Sequence, residues 1–394
     1  MSNKETIKVL MIDGHDRRAL ACIRSLGRVG GYEIHVGSNR SVNATRYSKY
    51  CSKFFSYANP ETQIDEFISN VADYVKQNNI DVLIPMGENM AYYINSNIEK
   101  LTPFVNILQP EKEGFNIARD KEKTLKIADS IGIPIPYSYT YEQVVENHQK
   151  IQFPLLIKPR ISSASMGMAI VENYQDFLSQ YKKIADKYPN PVVQELIKPG
   201  GGHYQLNAVL DRNHNVICTV VKNKLREFPI YGGPSTFFRT VDYPLIEEYG
   251  TKLLREIKWA GPAEVEFMVD PVTNIPKLME INPRMSATIA LSCYVGVNFP
   301  LYITKFALGE KFTETYRNTK FNHFCQWFIP GDFLNFVYNP KRFKQEYGYF
   351  GFFRKNLTHM TFDKNDIKPF FINIYIMISS FFSPEKILRY IKRK

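Results

Sequence analysis

Glu280, Asn282 and Arg284 occupy every second position of the stretch PKLMEINPRM (276–285), with apolar Met279 and Ile281 at alternating positions. Side chains alternate faces along a strand, so the three polar groups share one face. A buried carboxylate without a partner is costly. The preceding stretch AEVEFMVD (263–270) has the same pattern, with Glu264 and Glu266 on one face and Val265, Phe267 and Val269 on the other. A turn at DPVTNI joins the two, and an antiparallel hairpin would bring Glu266, Glu280 and Asn282 together. Facing like charges need a cation between them. The ligands are hard oxygens without His or Cys, which points to Mg²⁺, an ion that keeps coordination places for substrate phosphates. The alternative is a structural network in which Arg284 and nearby lysines neutralise the carboxylates.

A second chemical candidate is FPLLIKPRISSASMGMAIVEN (153–173): an apolar strand ending in Lys158, a small-residue loop SSASMG, then another strand. Backbone N–H groups of such a loop can curl around phosphate. It is not a Walker A loop, because no Gly-Lys-Ser/Thr follows. Taken alone, Lys158 reads equally as a lysine reaching solvent. The strand VVQELI then breaks at a Pro-Gly-Gly-Gly turn and resumes as YQLNAVLD.

The elements that would position these groups are legible upstream. IKVLMIDG, YEIHVGS and IDVLIPMGE read as buried strands, separated by the helical patterns RRALACIRSLGRVG and IDEFISNVADYVKQNN. Near-continuous apolar strands alternating with helices imply a parallel α/β sheet. Ligands of such sheets bind beyond the carboxyl ends of the strands. Here those ends are Asp13, Gly14, His15 and Arg17, then Gly37, Ser38, Asn39 and Arg40, then Gly87, Glu88 and Asn89. Read individually, these are also ordinary turn and cap residues. No GxGxxG follows the first strand, so a dinucleotide site is not supported.

The chain has 394 residues, enough for two or three domains. The start MSNKETIKVLMIDG does not read as a signal peptide. Five scattered cysteines form no metal or disulfide framework and suit a reducing cytoplasm. The net charge of +11 is uneven: residues 311–394 hold 15 Lys/Arg against 6 Asp/Glu, and 22 of the 55 aromatics. A compositional break near residue 310 follows. The tail contains a 13-residue apolar run, Phe370–Phe382, flanked by Lys368 and by RYIKRK. The run is too short to span a bilayer but suits the interface, with Lys/Arg on anionic headgroups. A helical appendage packed on the core or on a second subunit is the competing reading. No RNA- or DNA-binding motif appears, so no nucleic-acid partner is expected.

Lys158, the loop 162–168, QELI and VEF…MEINPR, in this order, resemble the ATP-grasp superfamily over about residues 7 to 310. DGHDRRALACIRSLGR and KLREFPIYGGPSTFF are similar to bacterial carboxylate–amine ligases associated with surface polysaccharides. The fold class the resemblance implies is α/β: a parallel α/β pre-ATP-grasp domain (1–118), then an ATP-grasp α+β domain (119–310) with a lid at about 137–197. A small helical, aromatic-rich C-terminal appendage (311–394) would follow. The site the resemblance implies has Lys121 and Lys158 on the nucleotide and Ser162, Ser163, Ser165, Met166 and Gly167 closing over phosphates. Gln194, Glu195, Leu196 and Ile197 form the hinge that reads adenine. Glu266, Glu280 and Asn282 hold two Mg²⁺, with Mn²⁺ as a substitute ion. Arg284 stabilises the transferring phosphoryl group. Many relatives carry a ribose-binding Glu where this chain reads GGGHYQ, and His203 stands near that place. The segment 220–241 carries Lys222, Lys224, Arg226 and Arg239 around a Gly-Gly turn, and is expected to be a mobile cover over the acidic substrate, with Lys224 and Arg226 catalytic; a solvated basic hairpin is the alternative.

The implied activity is ATP-dependent ligation of a small-molecule or lipid-linked acid to an amine through an acyl phosphate, in a cytoplasmic protein, with no covalent enzyme nucleophile needed. Peripheral membrane contact through the tail, and a homodimer, are further expectations. The rival functions are an ATP-grasp kinase or carboxylase, and a non-catalytic nucleotide-binding module at a membrane.

Overall fold

The computed structural model describes residues 6–162, 166–230, 232–352 and 354–381. Strands β1 (Ile7–Ile12), β2 (Tyr32–Ser38), β3 (Lys53–Ser56) and β4 (Val82–Pro85) form a parallel sheet in the order β3-β2-β1-β4. Val9 to Ile12 are buried on both faces, as the apolar run requires of a central parallel strand. Helix Arg17–Gly27 follows β1. Its N-cap Asp16 accepts the Arg18 N–H at 2.8 Å, and its apolar stripe is buried from Ala19 to Leu26.

A second sheet is antiparallel. It comprises β5 (Ser138–Tyr139), β6 (Leu155–Lys158), β7 (Ala169–Val171) and β8 (Val192–Glu195), in the order β5-β8-β6-β7. It has its own core around Phe177, Leu155, Ile157 and Val193.

The largest sheet has eight strands: β9 (His203–Leu210), β10 (Val216–Glu227), β11 (Ser235–Thr240), β12 (Gly261–Val269), β13 (Pro276–Asn282), β14 (Tyr316–Arg317), β15 (Phe324–Gln326) and β16 (Leu357–His359). The order is β13-β12-β9-β10-β11-β15-β16, with β14 beside β10. One face packs on helix Pro244–Glu256 and the helices of 112–130, around Leu206, Leu254 and Phe267. The other face meets helix Arg17–Gly27 and the helices of 289–307, around Val209, Val220, Phe238 and Cys22. The first helix is therefore shared between the parallel sheet and the large sheet, and its start projects toward the polar part of that second face.

Two expectations are corrected here. The segment 311–394 is not only a helical appendage: it adds β14, β15 and β16 to the large sheet, and Cys325 and Met360 join the main core. Two buried ion pairs clasp it. Arg226 meets Asp332 at 2.7 and 2.6 Å, and Arg24 meets Asp366 at 2.8 Å, with Ser48 Oγ donating to the same carboxylate at 2.6 Å. The segment 220–241 is likewise not a mobile cover, because most of it forms the interior strands β10 and β11 of the large sheet.

Helix Lys368–Phe381 carries the described part of the expected apolar run. Its N-terminal turns pack near residues 45–47, while Phe371, Tyr375 and Ile378 are exposed. Phe382 and the terminal basic cluster lie outside the described residues. Among the described residues no helix is long and apolar enough to cross a membrane.

Candidate active site

The period-two pattern of the two Glu-bearing strands is realised as an antiparallel pair in which Glu266 lies opposite Glu280 and Glu264 opposite Asn282. Residues directly opposite in such a pair have Cβ atoms about 4.5–5.5 Å apart. On the other side β9 places Gln205 beside Glu266 and Asn207 beside Glu264. Three strands thus present one polar strip across an otherwise apolar sheet.

Each carboxylate has protein donors. Glu266 accepts from His203 Nε2 at 2.7 Å, Asn282 Nδ2 at 2.9 Å and Gln205 Nε2 at 3.3 Å. Burial works to raise its pKa, but the hydrogen bond and charge of His203, helped by Lys224 and Arg284, hold it well below the ordinary carboxylate range. Glu280 is partly exposed and pairs with Lys121 Nζ at 3.1 Å. Arg284 donates to Glu264 at 3.0 Å and to Asn282 Oδ1 at 2.8 Å. Ser286 Oγ bonds the second oxygen of Glu264, and the fully buried Lys222 reaches Thr288 Oγ1 and, at 3.4 Å, Ser286 Oγ. One hydrogen-bonded chain therefore runs from His203 through Glu266, Asn282, Arg284 and Glu264 to Lys222. Burial pushes the Lys222 ammonium down to about 7, against the pull of Glu264.

The small antiparallel sheet meets this strip at β13. Lys158, at the end of β6, donates to the Met279 carbonyl at 3.3 Å and is 3% exposed. Burial lowers its pKa to about 8; Glu280 opposes the shift and Lys121 adds to it. Lys121 also donates to the Ser162 carbonyl at 2.8 Å, fixing the start of the small-residue loop. Glu195 pairs with Lys277 of β13 at 2.6 Å and accepts the Tyr137 N–H at 2.9 Å, so β8 is tied to the large sheet.

The structure brings Lys121, Lys158, Ser162, His203, Lys224, Glu266, Glu280, Asn282 and Arg284 into this neighbourhood through the contacts above and the Lys224–His203 pairing of β10 with β9. Lys224 also bonds Glu227. Met166 and Gly167 follow on the exposed loop, whereas Ser163 and Ser165 lie outside the described residues. Gln194 is fully buried and its amide donates to Ser138 Oγ at 3.0 Å, so its side chain serves the small sheet; Leu196 and Ile197 follow β8. Two assignments change. His203 holds Glu266, rather than standing free for a ribose hydroxyl. Arg226 is removed from a catalytic role, because Asp332 engages Nε and Nη2 and the Tyr347 carbonyl engages Nη1. Glu264, Ser286 and Thr288 complete the network and were missed as partners. The alternation already put Glu264 on the polar face, but no local pattern ties Ser286 and Thr288 to a lysine 64 and 66 residues away.

Among the described residues no group of three or more His, Cys, Asp and Glu is arranged to hold a metal. The candidate donor set is instead two carboxylates and one amide oxygen. Such a set fits a hard cation that takes its remaining ligands from phosphate and water. The cationic or polar donors now on Glu266 and Glu280, His203 and Lys121, mark both as positions where positive charge is favourable.

The family described as carbamoyl-phosphate synthase L chain, ATP binding domain, matches residues 117–315. The C-terminal section of the carbamoyl phosphate synthase large chain of Methanocaldococcus jannaschii is 25% identical over 313 residues, covering 76% of this chain and 49% of that protein. The large chain of Pyrococcus furiosus is 26% identical over 270 residues, covering 64% of this chain and 25% of that one. The chain thus spans about half or less of the length of these relatives. Among solved structures, the biotin carboxylase domain dimer of Hydrogenobacter thermophilus 2-oxoglutarate carboxylase, in complex with MgADP, ADP and bicarbonate, superposes with a TM-score of 0.66 at 15% identity, covering 82% of this chain and 74% of that one. The L-amino acid ligase of Bacillus licheniformis gives a TM-score of 0.60 at 14% identity, covering 78% and 75%. At these identities the structural likeness is one of fold.

Proposed function

Since the chain belongs to the carbamoyl-phosphate synthase L chain, ATP binding domain family of ATP-grasp ligases, we propose that it joins a carboxylate to an amine through an acyl phosphate, releasing ADP and phosphate. The observation that carries the reading is the direct pairing of Glu266 with Glu280 in one hairpin, with Lys158 and Lys121 on the lid side and Arg284 beside them. Glu266, Glu280 and Asn282 would hold Mg²⁺, which supplies charge neutralisation on the phosphate oxygens of bound ATP. Lys158 and Lys121 offset further negative charge, and the loop from Ser162 covers the phosphates. A carboxylate oxygen of the acid attacks the γ-phosphorus, the bond to the β-phosphate oxygen breaks, and ADP leaves. The amine nitrogen then attacks the acyl carbon, phosphate departs, and the amine gives up a proton. Catalysis of this kind is mainly positioning and electrostatics. The test is ADP release from Mg·ATP with acids and amines offered singly and together, the product being identified by mass. ADP that requires both, with an amide formed, supports the reading; phosphorylated or carboxylated acid as the sole product would replace it.

The Lys158 ammonium gives a pH prediction. With its pKa lowered to about 8, it is charged below that pH and neutral above it in the nucleotide-free protein. Affinity for Mg·ATP should therefore fall as pH rises from 7 to 9, and Lys158→Arg should flatten the dependence. An identical slope in the two proteins, measured by calorimetry, would remove Lys158 from the phosphate site.

The C-terminal segment has a separate role in this proposal. Phe343 is 79% exposed and Phe350 65%, beside Lys341, Arg342 and Lys344 on the most basic part of the chain. We read this surface as a contact for anionic lipid, suited to a lipid-linked acid. Phe343→Asp/Phe350→Asp should lose flotation with anionic liposomes while the parent floats; a parent that stays in solution refutes the contact. A homodimer is proposed on likeness to the dimeric neighbour, to be checked by light scattering.

A further inference from the structure

Helix Arg17–Gly27 delivers two guanidinium groups to the edge of the site, and their partners are unequal. Arg18 pairs with Asp16. Arg17 has no carboxylate within ion-pair distance among the described residues; its guanidinium lies 4.0 Å over the ring of Trp327, from the C-terminal segment. The Nε atoms of both arginines are buried without a hydrogen-bond partner. Both groups lie within electrostatic reach of Arg284 and Glu264, the inner end of the hydrogen-bonded chain. Burial pushes Arg17 down to about 10, which leaves it charged at neutral pH. Arg284 is already matched by Glu264, and Arg18 by Asp16. Asp16 also attracts Arg17 but bonds Arg18 directly, so the excess positive charge is that of Arg17, and a mostly buried guanidinium without a directly bonded anion is unfavourable.

We propose that the Arg17 guanidinium, stacked on Trp327, is a subsite for a second anionic group of the acid substrate, held by the edge of its fork while the reacting carboxylate is activated near Arg284. This rests on the ligase reading and narrows it to acids bearing two anionic groups. Arg suits the task because its planar fork pairs with carboxylate or phosphate while its face stays stacked on the indole. The geometry also explains why the C-terminal strands are woven into the sheet: β15 sets Trp327, which follows Gln326 directly, against the start of the first helix.

Trp327 makes the test direct, since the chain has two tryptophans and the other, Trp259, is buried in the core with its N–H bonded to the Gly261 carbonyl. Tryptophan emission of the full chain would be titrated, at constant ionic strength, with succinate, phosphonoacetate, acetate and neutral succinamide. The expected result is a saturable change with succinate or phosphonoacetate, at least tenfold weaker with acetate and none with succinamide. The tighter dianion tells whether the distal group is a carboxylate or a phosphate type. Arg17→Gln should weaken the response at least tenfold, and Arg17→Lys, which keeps the charge, should retain part of it; circular dichroism confirms that each variant is folded. No saturable response to either dianion, or a response unchanged in Arg17→Gln, overturns the subsite. ADP binding measured in parallel by calorimetry separates the two failures: nucleotide bound without the dianions leaves the ligase reading standing, whereas no nucleotide binding removes that reading itself.

Discussion

Glu280→Gln is expected to leave the fold intact and to lower ADP formation by about 10³-fold or more. The change keeps shape and retains an oxygen for Lys121, whose other bond, to the Ser162 carbonyl, is untouched. Packing at this partly exposed position barely alters, so the thermal midpoint should stay within a degree or two of the parent. The charge removed is one of two facing carboxylates that would hold a divalent cation on the phosphates. Loss of such charge stabilisation costs several kcal/mol in the transition state, and each ~1.4 kcal/mol is tenfold in rate. Glu266→Gln should act in the same direction but also disturb His203, Gln205 and Asn282, so Glu280 is the cleaner probe. Steady-state ADP release against Mg²⁺ concentration is the readout. Full turnover at ordinary Mg²⁺ would mean that the pair is a structural network rather than a cation site.

Asp332→Ala should destabilise the whole chain, not only its C-terminal segment. Asp332 is fully buried and accepts from Arg226 Nε and Nη2, Thr236 Oγ1 and Gln326 Nε2 between 2.6 and 3.0 Å. Removing it leaves Arg226 charged, 6% exposed and without its acid. Breaking a buried pair in this way costs about 3–5 kcal/mol. Arg226 lies on β10, in the middle of the large sheet, so the loss is transmitted to β9, β11 and the site they carry. One cooperative transition at a clearly lower denaturant midpoint is expected, with nucleotide binding and tertiary signal lost together. An early, separate transition that leaves nucleotide binding intact would instead describe an independent appendage. Asp366→Ala, at the second clasp on Arg24, should show a smaller effect in the same direction.

What was legible in the sequence follows from the range of the signal. Period-two alternation is local, and it placed Glu266, Glu280, Asn282 and Arg284 on one face before any fold was known. The buried apolar runs at 7–12, 32–38 and 82–85 likewise read as parallel strands because nothing but burial on both faces explains them. The C-terminal strands were not legible. They are two or three residues long, too short for an alternation to repeat; β14 and β15 join the sheet through pairing with β10 and β11 some 80–100 residues earlier, and β16 joins through β15. Arg226 was misread as catalytic for the same reason: its acid, Asp332, is 106 residues away, and nothing beside the Gly-Gly turn signals that partner. His203 was expected near a ribose, yet it bonds Glu266 on the neighbouring strand β12. The lysine at 222 gave no sign of burial, because its partners are hydroxyls brought in by the turn after β13.

The central claim is activation of a carboxylate as an acyl phosphate, and a hydroxylamine trap tests it most directly. The protein, Mg·ATP and hydroxylamine would be offered a panel of mono- and dianionic acids, with ADP and hydroxamate measured in the same samples. The account predicts hydroxamate formed in step with ADP for a particular acid, absent in Glu280→Gln. ADP released with that acid in equal amount but without any hydroxamate would contradict it and point to phosphoryl transfer onto another group.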